Sequence, residues 1–223
     1  MDLKGKKFLV IGGAGLIGSH AVDELVKEDV AEIRIYDNFV RGTHENLVDA
    51  LKDPRVKIFD IGGDICQADI LDVAMKGMDG VFHFAALWLL QCHEFPRSAF
   101  DVNVRGTFNV LEACVANKIQ RLVYSSSASV YGDAVEEPMT EDHPFNNNSS
   151  TATNVNCPGY ILSRRATFSR EGALALRHTT WTYLPTLRKA SLMGWKSMSP
   201  DTRMKCLTDG KARATFVICA MST

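Results

Sequence analysis

The feature that most constrains the fold is a glycine-rich turn near the start of the chain, between an apolar run and a helical pattern. The apolar run occupies residues 7–11, and Gly-Gly-Ala-Gly-Leu-Ile-Gly-Ser follows at residues 12–19. An amphipathic pattern continues to residue 28, and an alternating run at residues 32–36 ends at Asp37. These patterns predict a buried strand, a tight turn, a helix and a second strand that an acidic residue closes.

The spacing of three glycine residues in this turn suits the binding of a pyrophosphate. Gly12 permits the turn, Gly15 lets backbone amides approach the anion, and Gly18 lets the helix pack closely on the strands. Asp37 lies 19 residues after Gly18, where a carboxylate would bind the adenosine ribose hydroxyls and repel a 2′-phosphate. The unit therefore predicts NAD rather than NADP, and a glycine turn in another kind of α/β protein is the alternative.

Strand and helix patterns continue to alternate after Asp37, which predicts an α/β fold with a doubly wound parallel sheet of the Rossmann type. The predicted order is a loop with a short helix at 38–51, a strand at 55–59, a helix at 68–76, a strand at 80–84, a helix at 98–117 and a strand at 120–124.

Several small or polar residues follow the predicted strands, where open α/β sheets place their sites. Asp64 is either a solvated loop acid or an acceptor for the adenine amino group. Ala85 and Ala86 are small enough for the backbone to lie flat against a cofactor. His83 stands inside an apolar run, which favours a core histidine over a catalytic one. Asn103 is either a surface residue or part of a buried hydrogen-bond relay, because a buried amide must be paired.

Composition and the distribution of cysteine exclude several classes of protein. The chain has 223 residues, of which 46% are hydrophobic and 23% charged, as expected for a soluble globular protein. The residues before the first strand include no apolar segment that would suit a signal peptide, and the apolar run at residues 81–90 is too short to cross a bilayer, so we expect a cytoplasmic protein with no membrane partner. Six scattered cysteines without a CxxC or Cys/His cluster predict reduced thiols and no metal site.

Charge changes sign along the chain. Residues 1–148 carry 14 Lys and Arg against 23 Asp and Glu, whereas residues 149–223 carry 11 against 3. The basic residues of the second part form no long run and no basic helical face, so no nucleic-acid partner is predicted.

Taken together, the motifs resemble the extended short-chain dehydrogenase/reductase family, over about 145 residues of its N-terminal part. The closest branch is that of NAD-dependent sugar-nucleotide epimerases and dehydratases of the UDP-glucose 4-epimerase type. The motifs that carry the resemblance are the glycine turn with its closing Asp37, Gly-Asp-Ile at 63–65, Val-Phe-His-Phe-Ala-Ala at 81–86, Val-Asn-Val-Arg-Gly-Thr at 102–107, Leu-Glu-Ala at 111–113 and Ser-Ser-Ser-Ala-Ser-Val-Tyr-Gly at 125–132.

The resemblance implies a nucleotide-sugar substrate, most of all a UDP-sugar, whose ring passes a hydride to bound NAD. It implies Ser127 as the serine that hydrogen-bonds the reacting oxygen, and a homodimer that pairs through the helix at residues 98–117. The residues it places along NAD are Gly12, Gly15, Leu16, Ile17, Gly18, Asp37, Asn38, Asp64, Ile65, Phe84, Ala85, Ala86, Asn103 and Ser125.

The family's Tyr-x-x-x-Lys pair is not found where it is expected, near residue 152. The nearest counterpart is Tyr160 in Cys-Pro-Gly-Tyr-Ile-Leu-Ser-Arg, with Arg164 at the lysine position. We interpret Tyr160 as the candidate base that removes the hydroxyl proton, beside a guanidinium that is broader than an ammonium group.

The chain is therefore interpreted as a NAD-binding domain at residues 1–148 and a divergent or frameshifted tail at residues 149–223, with a helix at 161–177, a strand at 178–184 and little order afterwards. A folded divergent C-terminus and an appended interaction segment are the alternatives for the tail. Three functions are compatible with these features: a UDP-sugar epimerase or dehydratase, a NAD-binding domain without catalysis, and, less favoured, a reductase of steroid or flavonoid carbinols.

Overall fold

A computed structural model describes residues 2–125, 134–135 and 143–144 of the chain, and three further short strands. Four strands alternate with two helices in the first part: β1 (Lys7–Ile11), α1 (Leu16–Val26), β2 (Glu32–Tyr36), β3 (Val56–Ile58), α2 (Ala68–Met75) and β4 (Gly80–His83). The rest of the described elements are α3 (Leu89–Glu94), α4 (Pro96–Ala99), α5 (Thr107–Ala116), β5 (Arg121–Ser125), β6 (Thr167–Phe168), β7 (Leu174–Ala175) and β8 (Ile218–Ser222).

The main sheet is built outward from β1, the strand that precedes the glycine turn. Its strands lie in the order β3-β2-β1-β4-β5, with β8 beside β5. The pairs β1–β2, β1–β4 and β2–β3 are parallel, and the register places Ile11 opposite both Tyr36 and His83. The carboxyl ends of β1, β2 and β4 therefore meet at one edge of the sheet.

Apolar side chains in the central strands form the core. Phe8, Leu9, Val10 and Ile11 of β1 are completely buried, and so is Val81 of β4. A strand that is apolar on both faces must be covered on both sides, which is the burial pattern of strands inside a parallel sheet.

The chain order of the strands explains how both faces are covered. The connections from β1 to β2 and on to β3 run toward one edge, and those from β3 to β4 and β5 run toward the other. Right-handed crossovers then place α1 on one face and α2 with α5 on the opposite face. The predicted doubly wound parallel sheet is confirmed.

The structure corrects several predicted helices. The segment at 38–51 holds two short 3₁₀ helices, His44–Leu47 and Ala50–Lys52, instead of one amphipathic α-helix. The helix predicted at 98–117 is present, but its Phe100–Gly106 segment is a π-helix. Helix ends and the remaining strand ends differ from the prediction by at most two residues.

The predicted helix at 161–177 does not fit the described part of the tail. Thr167–Phe168 and Leu174–Ala175 form an antiparallel pair of strands there. Residues 218–222 form β8, within the segment for which we predicted little order. The predicted strand at 178–184 lies outside the described residues.

The chain divides into two units. The first comprises Met1–Ala86, Arg105–Val123 and Ser222–Thr223, and the second comprises Leu87–Val104 and Tyr124–Met221. Among the described helices, none has the length and apolar character needed to cross a bilayer. The described residues contain no group of three His, Cys, Asp or Glu that could hold a metal ion. The cytoplasmic location and the homodimer stay predictions.

Candidate functional site: the glycine turn and the adjoining strand ends

The glycine turn after β1 has a geometry that side chains would prevent. Gly12 has a φ of +77°, and a Cβ there would come within 2.7 Å of the Ala85 nitrogen. A Cβ on Gly18 would overlap the carbonyl oxygen of Gly12. The backbone of α1 therefore lies directly against the turn, as the spacing of the glycine residues predicted.

The amino end of α1 is available to an anion. Gly15 is the residue before the helix, no side chain caps it, and the first turn holds no acidic residue. The first N–H groups of a helix have no intrahelical acceptor and carry a partial positive charge. Leu16 is 72% exposed, so solvent reaches this end of the helix. These properties fit a pyrophosphate.

Asp37 follows β2 and contacts the turn directly. Its Oδ2 accepts a hydrogen bond from the Ala14 N–H and its Oδ1 accepts one from the Phe39 N–H, both at 2.9 Å. Each carboxylate oxygen has a second lone pair, so the group is still able to accept hydrogen bonds from ribose hydroxyls. The half-buried carboxylate is thus fixed beside the turn in the position expected for a ribose-binding acid.

The loop after Asp37 is fastened to the same turn. The Thr43 N–H and the Asn46 side-chain amide both donate to the Ala14 carbonyl oxygen, at 3.2 and 2.8 Å. Phe39 has a φ of +56°, and its ring stacks on that of His44 with the centroids 4.4 Å apart. An aromatic residue in the left-handed region is strained, and such strain occurs where surrounding contacts impose it, often at binding sites.

The turn after β3 lies against Asp37. A Cβ on Gly63 would overlap the Asp37 carbonyl oxygen, so only glycine fits there. Asp64 Oδ1 accepts a hydrogen bond from the Cys66 N–H at 2.8 Å. The Tyr36 hydroxyl donates to the Asp64 carbonyl oxygen, and the Asn109 side-chain amide donates to that of Ile65, both at 2.9 Å. The two predicted adenosine-binding acids therefore belong to adjoining turns.

The end of β4 closes over the glycine turn. The Phe84 N–H donates to the Ile11 carbonyl oxygen at 2.8 Å, and Ala85 lies next to Gly12. Ala86 is exposed. His83 is completely buried, its Nε2 lies 3.2 Å from Thr107 Oγ1, and burial lowers its pKa to about 3. His83 is a neutral core residue, as its apolar neighbours predicted.

Asn103 is buried in the π-helical segment of the second unit, which decides between the two interpretations of its role. Its Oδ1 accepts a hydrogen bond from the Leu87 N–H at 2.7 Å, and its Nδ2 donates to the Leu87 carbonyl oxygen at 3.1 Å and to Cys92 Sγ at 3.3 Å. The amide thus holds the segment that follows β4. Its contact with NAD stays a prediction.

The other predicted site residues are placed as follows. Asn38 is exposed and its Oδ1 accepts a hydrogen bond from the Val40 N–H at 3.2 Å. Ser125 is the last residue of β5. Ser127 and Tyr160, the two predicted catalytic residues, lie outside the described residues.

Sequence patterns missed three side chains that hold the turns in place. Tyr36, Asn46 and Asn109 donate to carbonyl oxygens 28, 32 and 44 residues away in the chain. Tyr36 was predicted only as the end of an alternating strand. No local pattern indicates such contacts, because they depend on how the strand ends meet.

A comparison with protein families decides which group of proteins this site belongs to. The model of the 3-beta hydroxysteroid dehydrogenase/isomerase family matches residues 9–156. The chain belongs to this family. The matched range holds the glycine turn, both acidic residues and the Asn103 segment.

Relatives of this family member include epimerases and steroid dehydrogenases. The UDP-glucose 4-epimerase of Lactobacillus helveticus is 40% identical over 143 residues, which are 63% of this chain and 41% of that enzyme. The 3 beta-hydroxysteroid dehydrogenase type 7 of Homo sapiens is 36% identical over 140 residues, 62% of this chain and 36% of that enzyme. This chain therefore spans about two fifths of the length of these relatives.

A solved structure agrees with the same assignment. The UDP-glucose 4-epimerase from Bifidobacterium longum, in complex with NAD+ and UDP, has a TM-score of 0.60 and 27% identity, and the match covers 67% of this chain and 45% of that one. The resemblance to epimerases of this type over the N-terminal part, inferred from the motifs, is confirmed.

Proposed function

We propose that this family member binds NAD and is a sugar-nucleotide epimerase or dehydratase, of the UDP-sugar 4-epimerase type. The observation that carries the proposal is the meeting of the glycine turn, Asp37 and the Asp64 turn at the carboxyl edge of the sheet. The relatives that are named as UDP-glucose 4-epimerases support the substrate class.

The adenosine half of the cofactor has counterparts among the described residues. The amino end of α1 would hold the pyrophosphate, and Asp37 would hold the adenosine ribose. Asp64 and Ile65 would bind the adenine. Bound NAD supplies a hydride acceptor at the sugar ring. We propose that Ser127 donates a hydrogen bond to the reacting oxygen and that Tyr160 removes its proton.

Binding of NAD to the wild-type chain, measured by isothermal titration calorimetry, tests the cofactor assignment. We expect Asp37→Ala to weaken NAD binding at least about tenfold, because hydrogen bonds to a charged group contribute about 1.5–3 kcal/mol each. Asp60→Ala is the matched control, since it removes an exposed acid after the neighbouring strand. Equal affinities for Asp37→Ala and the wild type would contradict the ribose-binding role.

Turnover of UDP-galactose to UDP-glucose by the NAD-loaded chain tests the activity. We expect Tyr160→Phe to reduce kcat at least about a hundredfold, the range in which general bases contribute, while NAD binding is retained. Tyr131→Phe removes a second tyrosine hydroxyl from the same part of the chain and serves as its control. NAD binding by the wild type without turnover of UDP-sugars would instead support a NAD-binding domain without catalysis, an alternative that Arg164 at the lysine position favours.

A dehydrogenase of hydroxysteroids is a second candidate, which the family model and the human relative favour. It differs from an epimerase in the fate of the cofactor, because an epimerase returns the hydride to its product whereas a dehydrogenase releases NADH. Net formation of NADH with a 3-beta hydroxysteroid, and none with UDP-galactose, would decide for this candidate.

A further inference from the structure

Tyr36 places a buried hydroxyl beneath the turn that is expected to receive adenine. Tyr36 is the last residue of β2 and is completely buried. Its ring packs against Phe59, with centroids 5.8 Å apart, and its hydroxyl donates to the Asp64 carbonyl oxygen at 2.9 Å. Burial, followed by electrostatic interactions with Asp64 and Cys66, raises the pKa of Tyr36 to about 12, so this hydroxyl remains a donor at neutral pH.

The hydrogen bond fixes more than one carbonyl group. The Asp64 carbonyl and the Ile65 N–H belong to the same trans peptide, in which they point in opposite directions. The Gln67 N–H donates to the same oxygen at 3.0 Å, so these two donors together set the direction of the Ile65 N–H. The next peptide is held as well, because the Asn109 amide donates to the Ile65 oxygen and the Cys66 N–H donates to Asp64 Oδ1.

We call the turn at residues 64–66, which these hydrogen bonds hold, the braced turn. Two of its groups are left for a ligand. Within residues 2–125, the Ile65 N–H donates to no protein acceptor and Asp64 Oδ2 accepts no hydrogen bond. Ile65 is only 2% exposed, and buried backbone N–H groups without an acceptor are rare in proteins. A donor and an acceptor on adjacent residues match the Watson–Crick edge of adenine, where N1 accepts and the N6 amino group donates.

We propose that the Tyr36 hydroxyl is a positioning group that confers selectivity for adenine. By holding the Asp64–Ile65 peptide, it keeps the Ile65 N–H and the Asp64 carboxylate at the spacing that the N1 and N6 atoms of adenine require. The inference rests on the proposed binding of NAD. It assigns the selection between purine bases to a tyrosine that acts through the turn and not by contact with the cofactor.

Hypoxanthine provides the discriminating probe, because its N1 carries a proton and its O6 accepts. In nicotinamide hypoxanthine dinucleotide the N1–H would face the Ile65 N–H, and O6 would face the Asp64 carboxylate. A rigid turn therefore binds this analogue more weakly than NAD, and a loosened turn reduces the difference in affinity. The experiment measures the dissociation constants of NAD and of this analogue by calorimetry, for the wild-type chain and for Tyr36→Phe.

We expect the wild type to prefer NAD by at least about tenfold, since a site built for hydrogen bonds rejects a mismatched partner. In Tyr36→Phe, which retains the ring, we expect the preference to fall to about threefold or less, mainly through weaker binding of NAD. Phe59→Leu is the packing control, because it disturbs the ring of Tyr36 but keeps the hydroxyl; it should lower the melting temperature and leave the preference unchanged.

An unchanged preference in folded Tyr36→Phe would overturn the inference while leaving NAD binding intact. Failure of the wild type to bind NAD would overturn both the inference and the proposed function. If Tyr36→Phe does not fold, Asn109→Ala tests the same turn from a half-buried position on α5. A preference that falls in Asn109→Ala supports the braced turn, and one that does not fall overturns it.

Discussion

At the scale of single residues, burial determines what the titratable groups of this chain do. His83 stands near the carboxyl edge of the sheet, where catalytic groups are common, yet it is fully buried beside Thr107 and its pKa is lowered to about 3. It therefore stays neutral at physiological pH. Cys114 behaves similarly, since burial raises the pKa of its thiol to about 12 and keeps it from forming a reactive thiolate.

The lowered pKa of His83 predicts how stability depends on pH. Between about pH 6.5 and pH 3 the unfolded chain binds a proton at this position and the folded chain does not, so folding stability falls as the pH falls through that range. Between pH 7.5 and pH 5 we expect this histidine alone to account for about 2 kcal/mol. Urea denaturation of the wild type and His83→Gln at both pH values measures it, and equal losses in the two proteins would contradict the prediction.

At the scale of elements, local patterns predicted β1 to β5 and the helices α1, α2 and α5, while contacts distant in sequence determined the 3₁₀ and π-helical segments. The apolar run of β1 and the alternation of β2 are local signals and were interpreted correctly. Thr43, just before the 3₁₀ segment His44–Leu47, and Asn46 within that segment both donate to the Ala14 carbonyl oxygen. The π-helical segment contains the Asn103 amide that holds Leu87. Neither contact can be inferred from periodicity. For the same reason the sequence predicts the glycine turn and Asp37 as candidate site residues but does not predict the hydrogen bond from the Tyr36 hydroxyl to the Asp64 carbonyl oxygen.

The last turn of α1 shows how one side chain ties two elements together. Arg55, just before β3, donates through its guanidinium to the carbonyl oxygens of Val26, Glu28 and Val30, at 2.6, 2.8 and 3.2 Å. The Arg55 guanidinium thus supplies hydrogen-bond donors to carbonyl oxygens at the helix end and in the chain after it, and it also pairs with Asp53.

We expect Arg55→Ala to lower the free energy of unfolding by about 1.5–3 kcal/mol, the range for a hydrogen bond to a charged group. Arg55→Lys should recover little of the loss, because an ammonium group cannot reach carbonyl groups in the same planar geometry. Lys57→Ala removes an exposed cation two residues further on and should leave stability nearly unchanged. Chemical denaturation of the three variants measures these differences, and full recovery in Arg55→Lys would show that charge alone matters.

At the scale of the whole molecule, the residues expected to hold the adenosine half of NAD belong to one unit. The glycine turn, Asp37, Asp64 and the bracing side chains all lie within Met1–Ala86 and Arg105–Val123. Asn103 and its partners Leu87 and Cys92 belong to the other unit. A substitution in the second unit should therefore lower the stability of the chain without weakening adenosine binding, whereas a substitution at Asp37 in the first unit should weaken adenosine binding.

Asn103→Ala separates the two properties. The substitution removes the acceptor of the Leu87 N–H and one of the donors to the Leu87 carbonyl oxygen, so we expect it to destabilise the chain by about 1–3 kcal/mol. ADP-ribose, which lacks the nicotinamide, should nevertheless bind with a dissociation constant within about twofold of the wild-type value and, at a hundred times that constant, should add the same stabilisation of about 2.7 kcal/mol to both proteins. Calorimetry and denaturation with and without ADP-ribose measure this, with Asp37→Ala as the variant in which the increment at the same ADP-ribose concentration falls to about 1.4 kcal/mol or less. A loss of ADP-ribose binding in Asn103→Ala as large as that in Asp37→Ala would mean that the segment after β4 also sets the adenosine half of the site.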